Sequence, residues 1–272
     1  MKLNRTMLGG LIIVLILGSW IGNVLFFRQM QLKEPLFLKH HMTLHSDHPE
    51  RISFHYLENK YAGKKVTGIQ LADYPQIHFQ LNQDLTYTHQ TSMRATAEFH
   101  LSQVELQGKL PLVIKDVFVF YNEGPPAMVP IGEIRIDEDQ GKGVLDFLSS
   151  SATSDGLGNY SVRTTQEVEL VQVGTANSER LKSWLNLKLA DVPVSELKLP
   201  IKLDKNEEIT LSYQWSIPDH ERAAYEIFQS EIQLHFRMED GRTVVEKVPI
   251  TKSYQLTNAQ VHHLVRTGGE LD

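Results

Sequence analysis

No cysteine occurs among the 272 residues. Disulfides, thiolate nucleophiles and cysteine metal ligands are therefore excluded, and zero cysteines neither prove nor exclude an oxidising compartment. A basic excess is lacking too, since 27 Lys and Arg face 33 Asp and Glu, a formal net charge of −6. Nucleic-acid binding needs clustered cations that displace counterions from phosphate, so no nucleic-acid partner is expected. Catalytic signatures are also missing. There is no H-E-x-x-H, G-x-S-x-G or G-x-x-x-x-G-K-[ST], which leaves zincin, α/β-hydrolase and P-loop chemistry without support. Ser195 to Lys198 fits S-x-x-K, but that motif needs a helix to set Lys one turn behind Ser, whereas "SELKLPIKL" alternates as a strand. "DEDQGKG", residues 137–143, begins like a calcium loop with Asp137 and Asp139, then puts Gly141 at a ligand position and Lys142 where the sharp-turn glycine belongs. No catalytic residue and no cofactor is expected, apart from the metal question raised below.

What is present begins with "MLGGLIIVLILGSWIGNVLFF", residues 7–27, which are 21 residues without a charge. As a helix this run is about 31 Å long and matches the hydrocarbon core of a bilayer. A secretory signal peptide also opens with basic residues, here Lys2 and Arg5, ahead of an apolar stretch. This run is longer than an ordinary signal h-region and no A-x-A-like site follows it, so an uncleaved signal anchor is expected. Lys2 and Arg5 before the span are balanced by Arg28, Lys33 and Lys39 after it, and charge alone hardly orients it. The long portion that follows favours export, with residues 1–6 as a cytoplasmic tail and the C-terminal portion outside a single-pass cell membrane protein. Within the span, Gly18 and Gly22 form a G-x-x-x-G pair beside Asn23. Close backbone approach and a hydrogen bond across it suggest a homodimer through this helix.

Beyond the span, the pattern is that of a mainly β protein. Ile232, Leu234, Phe236 and Met238 alternate with polar residues, and Asp240-Gly241 turns into "RTVVEKVPI", a hairpin signature. Leu197 to Leu203 and Ile209 to Trp215 alternate on either side of "DKNEE", and Met93 to Leu101 form another long amphipathic strand. "DVFVFY", residues 116–121, is continuously apolar and suits a strand buried on both faces. Three short helices are expected near 177–185, 219–228 and 257–265. The stretch "SSSATSDGLG" marks a linker over residues 149–159. The expected organisation is a juxtamembrane linker at 28–35, a membrane-proximal β-domain at 36–148, a distal one at 160–256, and a short helix and tail at 257–272. Frequent turns between short antiparallel strands fit sandwiches, with an immunoglobulin-like arrangement among the expectations.

"KHHMTLHSDHPERISFHY", residues 39–56, holds five of the twelve histidines. Leu36, Leu38, Met42 and Leu44 share one parity, as do Ile52, Phe54 and Tyr56, so a hairpin through residues 46–50 would pair His40 with Tyr56 and His41 with His55. Facing imidazoles about 5 Å apart at Cβ could share zinc or copper, which makes His41 and His55 the metal candidates, although a complete site needs further ligands. The same histidines lie where residues 28–65 carry a balance of +3 against −11 for 66–272. Acid would raise that positive charge near the membrane and favour anionic lipid or an anionic envelope polymer. The reading that collects these features is an envelope binding or assembly module with a protein or polymer partner and no enzymatic role. A membrane-proximal pH or metal sensor is the first alternative, and an envelope hydrolase with carboxylates invisible to pattern reading is the second.

Overall fold

The computed structural model describes residues 5–45, 50–61, 63–99, 110–137, 143–153, 155–175, 181, 183–252 and 255–269. Helix α1, Arg5–Gln29, contains the apolar run and is followed by β-structure almost throughout. In the first half of the chain the strands are β1 (Leu36–Phe37), β2 (His40–His45), β3 (Glu50–Asn59), β4 (Val66–Gln70), β5 (Gln80–Thr86), β6 (Gln90–Phe99), β7 (Leu112–Tyr121) and β8 (Ala127–Asp137). The second half supplies β9 (Leu145–Ala152), β10 (Leu157–Thr164), β11 (Val168–Thr175), β12 (Leu185–Leu189), β13 (Val192–Pro193), β14 (Ile201–Leu203), β15 (Glu208–Trp215), β16 (Ile227–Met238) and β17 (Thr243–Thr251). Helix α2, Asn258–Thr267, closes the described chain. The protein is thus mainly β, an apolar N-terminal helix followed by several largely antiparallel sheets.

Two sandwiches form, each with its own core. In the first, the sheet β1-β3-β6-β5 packs Ile52, Phe54, Tyr56, Ala95 and Ala97 onto Val117, Val119, Ile134 and Ile136 of β7 and β8. In the second, β13-β12-β15-β10-β9 packs Leu211, Tyr213 and Trp215 onto Leu170, Ile232, Leu234 and Phe236 of β11 and β16. The alternation of these residues along each strand produces the pairing of faces, because a strand turns successive side chains to opposite sides.

The opposing layers of both sandwiches belong to one sheet, ordered β14-β11-β16-β2-β8-β7-β4, with β17 also on β16. Strand β2 joins the halves by pairing in parallel with β16, His40 against Ile227 and Gln229 against Met42, and in parallel with β8. These parallel ladders depart from the purely antiparallel expectation. A third cluster sits at the join, where Leu38 and Leu57 of the first half meet Ile227 and Tyr225 of the second and Val261, Leu264 and Val265 of α2.

Several local expectations change. The described residues of 149–159 do not form a linker between blocks, since 149–152 belong to β9 and 157–159 to β10, whose antiparallel register pairs Gly158 with Ala152. In "DVFVFY", Val117 and Val119 are buried, while Phe118 and Phe120 are 36% and 37% exposed, because β7 has one uncovered face on which Phe118 lies opposite Met128. Residues 197–203 yield only the short β14, and a 3₁₀ turn occupies Val194–Glu196. The hairpin of β16 and β17 forms as expected, with Gly241 at φ +83 in its turn. Of the three helices, the segment at 219–228 is a 3₁₀ turn, Arg222–Tyr225, running into β16. The segment at 257–265 is α2, started by a capping box of Thr257 and Gln260. Most of 177–185 lies outside the described residues, as do Asp139, Gly141 and Lys142 of the "DEDQGKG" stretch.

Candidate functional site

The histidine-rich stretch is not a hairpin. Phe37 lies opposite Tyr56 and the Leu38 N–H donates to the His55 carbonyl at 3.0 Å, after which β2 leaves β3 for the other sheet. The expected opposition of His41 and His55 is thereby replaced: His41 lies beside Glu133 of β8 and Phe228 of β16, and His55 lies opposite Arg94 of β6. Among the described residues, no group of three or more His, Asp or Glu is placed to hold a metal ion. His45 carries no described side chain, and residues 46–49 lie outside the described chain.

His40 takes the inner position that its parity implies, but its partners are backbone groups on two strands. It is fully buried. Its Nε2 accepts the His55 N–H at 3.0 Å, which leaves the proton on Nδ1 to be donated to the Ile131 carbonyl at 3.1 Å. The ring stacks on His55 with centroids 6.1 Å apart. Burial, reinforced by the neighbouring His55, pushes the His40 pKa down to about 3. Burial likewise lowers that of His55 to about 4, with Arg94 adding to the shift, although Asp84 lies 3.7 Å from its Nδ1. Gly132 makes room for this contact: it sits at φ +101, and a Cβ there would lie 2.2 Å from the His40 carbonyl oxygen.

His41 faces the opposite way, into a polar seam between the halves. Its ring stacks on Phe228 at 5.2 Å, and its Nε2 lies 3.1 Å from Oε2 of the buried Glu226. Arg222 Nε donates to the other carboxylate oxygen at 3.2 Å. Lys252 closes the 3₁₀ turn beneath, its Nζ donating to the carbonyls of Ala223, Ala224 and Glu226 at 2.8, 2.8 and 3.0 Å. Burial lowers its pKa to about 8 against the opposing pull of Glu226, so the ammonium remains charged at neutral pH. Lys39, whose pKa is lowered by burial and then by Arg222, donates to the Pro130 carbonyl at 2.9 Å. A cavity of about 520 Å³ opens over the seam between Lys39, His41, Lys115, Asp116, Arg222 and Glu226. Both cations and carboxylates line it, so charged groups of either sign are within reach of anything that enters. Nothing in the sequence pattern points to Glu226 or Lys252, because both come from segments whose partners are set only at the join.

A second feature is the attachment of the C-terminal end of α1 to the β-body. The segment Gly9–Gln29 is long and apolar enough to cross a membrane and has none of its apolar window buried, and an added Cβ at Gly18 or Gly22 would meet nothing within 4 Å. Directly after it the chain is clamped. The Asn59 side chain accepts the Leu32 N–H at 2.9 Å and donates to the Leu32 carbonyl at 2.8 Å, and Gln90 donates to the Met30 carbonyl. Phe26 and Phe27 rest edge-on against His89, which stacks on His262 of α2. Residues 30–32, expected to lie within a linker, are held to the β-body.

No protein-family model matches the chain, and no curated protein matches it. Among solved structures, that of mouse clustered PcdhgC3 EC1-3 is similar over 80% of this chain and 67% of that one, at 12% identity and a TM-score of 0.22. A likeness of that degree leaves function to the chain's own residues.

Proposed function

We propose that the protein is a membrane-anchored extracytoplasmic module that acts by binding or assembly at the cell envelope. The observation that carries this reading is the contrast within α1: twelve large apolar side chains between Leu11 and Phe27 are exposed, while the chain directly after the helix is fastened to a folded body. Leaving such side chains in water costs about 1.5–3 kcal/mol each, and a bilayer removes that cost. The clamp joins the chain that follows the helix to the body, because Asn59 holds both backbone groups of Leu32. The β-body then stands at the membrane surface, with the seam around Glu226 and the exposed strand faces available for recognition. A single span supplies position without a transport path.

The absence of native cysteine makes the test direct. Ser151→Cys places one thiol on the exposed β9, and the expected result is labelling by a membrane-impermeant maleimide in intact cells. Labelling only after lysis, or recovery of the protein in the soluble fraction, would overturn the proposal.

A further inference from the structure

Where α1 meets the body, a groove of about 840 Å³ runs between the segment after the span and the last turn of α2. Arg28, Lys33 and Arg266 line it and are exposed, and Glu34, the one acidic residue among the described residues that line it, is paired with Lys64 at 3.0 Å. The C-termini of α1 and α2 both face this region, and each contributes roughly half a negative charge. Three cations outweigh the two helix ends and Glu34 together, and Lys64 adds a fourth.

The position of the groove follows from the mount. Arg28 is the residue after the apolar run, and the headgroup layer extends about 5–7 Å beyond the hydrocarbon core, which places its guanidinium among lipid phosphates if α1 spans. The Asn59 clamp fixes Leu32 next to Lys33, and the contacts from Phe27 to His89 and from His89 to His262 tie α2, which carries Arg266, to the end of α1, so that Lys33 and Arg266 line one groove with Arg28. Tyr61, 72% exposed with the Lys60 ammonium 5.0 Å from its ring, follows the strand that carries Asn59 and has the amphipathic character of an interfacial anchor. We infer that this groove binds the headgroup phosphodiester of an anionic phospholipid in the leaflet from which the body emerges, with Arg28 and Arg266 gripping phosphate oxygens and Lys33 contributing charge. Guanidinium groups suit this role because their planar fork matches two phosphate oxygens at once. The inference rests on the anchored reading above.

The test uses the full chain in two arms. Carbonate-resistant insertion into pure phosphatidylcholine vesicles reads the anchor and is expected irrespective of the groove. Native mass spectrometry of the detergent-solubilised chain with equimolar phosphatidylglycerol and phosphatidylcholine then reads the groove. Retention of phosphatidylglycerol is expected, with the preference falling about fivefold for each cation removed in Arg28→Gln and Arg266→Gln. Lys198→Gln with Lys205→Gln, equal in charge and remote, should leave it unchanged. Insertion without a phosphatidylglycerol preference, or a preference unaltered by the arginine variants, overturns the groove alone. Displacement of the lipid by millimolar inorganic phosphate would identify a free-phosphate site instead and also overturn it. Failure to insert overturns both readings.

Discussion

The ring of His40 accepts the backbone N–H of His55 at 3.0 Å, and through it a strand of the large sheet is bonded to a strand of the sheet opposite. The bond requires a neutral ring with its proton on Nδ1. An imidazolium would lose the acceptor and sit as a charge in a fully buried position.

Acid should therefore weaken the fold. Both His40 and His55 have folded pKa values, about 3 and about 4, below the ordinary 6.5. Between those values the unfolded chain binds the extra protons, so their contribution is complete above about pH 6.5 and is lost progressively as pH falls towards the folded values. At pH 5 the loss is about 2 kcal/mol for each histidine. Urea midpoints of the full chain in detergent at pH 7.5 and 5.0 should show it. His40→Gln, which can still donate and accept, should remove about half of the dependence; an unchanged dependence would mean that the titration lies elsewhere.

Gly132→Ala should break the join between β2 and β8. A methyl group would stand 2.2 Å from the His40 carbonyl oxygen and 2.5 Å from its nitrogen, in a backbone conformation with φ +101. Backbone cannot yield as a flexible side chain does, so a destabilisation of at least about 3 kcal/mol is expected. A melting temperature within a degree or two of the parent would contradict the close approach.

Asn59→Ala should loosen the mount without unfolding the sandwiches. It removes both hydrogen bonds to Leu32, a loss of about 1–3 kcal/mol where the groups stay buried. Hydrogen exchange should accelerate at residues 30–34 while β16 and β3 stay protected. Acceleration across the whole body would instead mark Asn59 as a determinant of global stability.

Lys252→Met should destabilise by about 2–3 kcal/mol, because a side chain of similar length leaves the carbonyls of Ala223, Ala224 and Glu226 without their charged donor. Chemical denaturation at pH 7 measures it. Glu226→Gln, tested alongside, should cost less than Lys252→Met, since Gln retains an acceptor for Arg222.

Much of the fold was legible because alternation reports which face of a strand is buried. Ile232 to Phe236, Ile209 to Trp215 and Met93 to Ala97 all face inward as their parity implies, and the β16 to β17 hairpin closes at Asp240-Gly241, where local turn chemistry sets the register. Even the inward direction of His40 follows from sharing parity with Met42 and Leu44. Its partners do not. A strand of the right parity satisfies its apolar face against any complementary sheet, and the local hairpin from β2 to β3 looked sufficient. It is displaced by parallel pairing with β16 and β8, which occupies both edges of β2 and leaves His40 with two backbone partners.

The order of residues by itself determined the apolar N-terminal run, the β class, the inner faces of β6, β15 and β16 and the absence of thiol chemistry, since each depends on composition or on contacts between near neighbours. Only the tertiary structure decided that the two sandwiches share a sheet, that Glu226, His41 and Lys252 meet at the seam, and that Asn59 fastens the segment after α1 to the body. Those contacts join residues far apart in the chain, and periodicity carries no information about which distant strand will supply the missing half of a hydrogen-bond ladder.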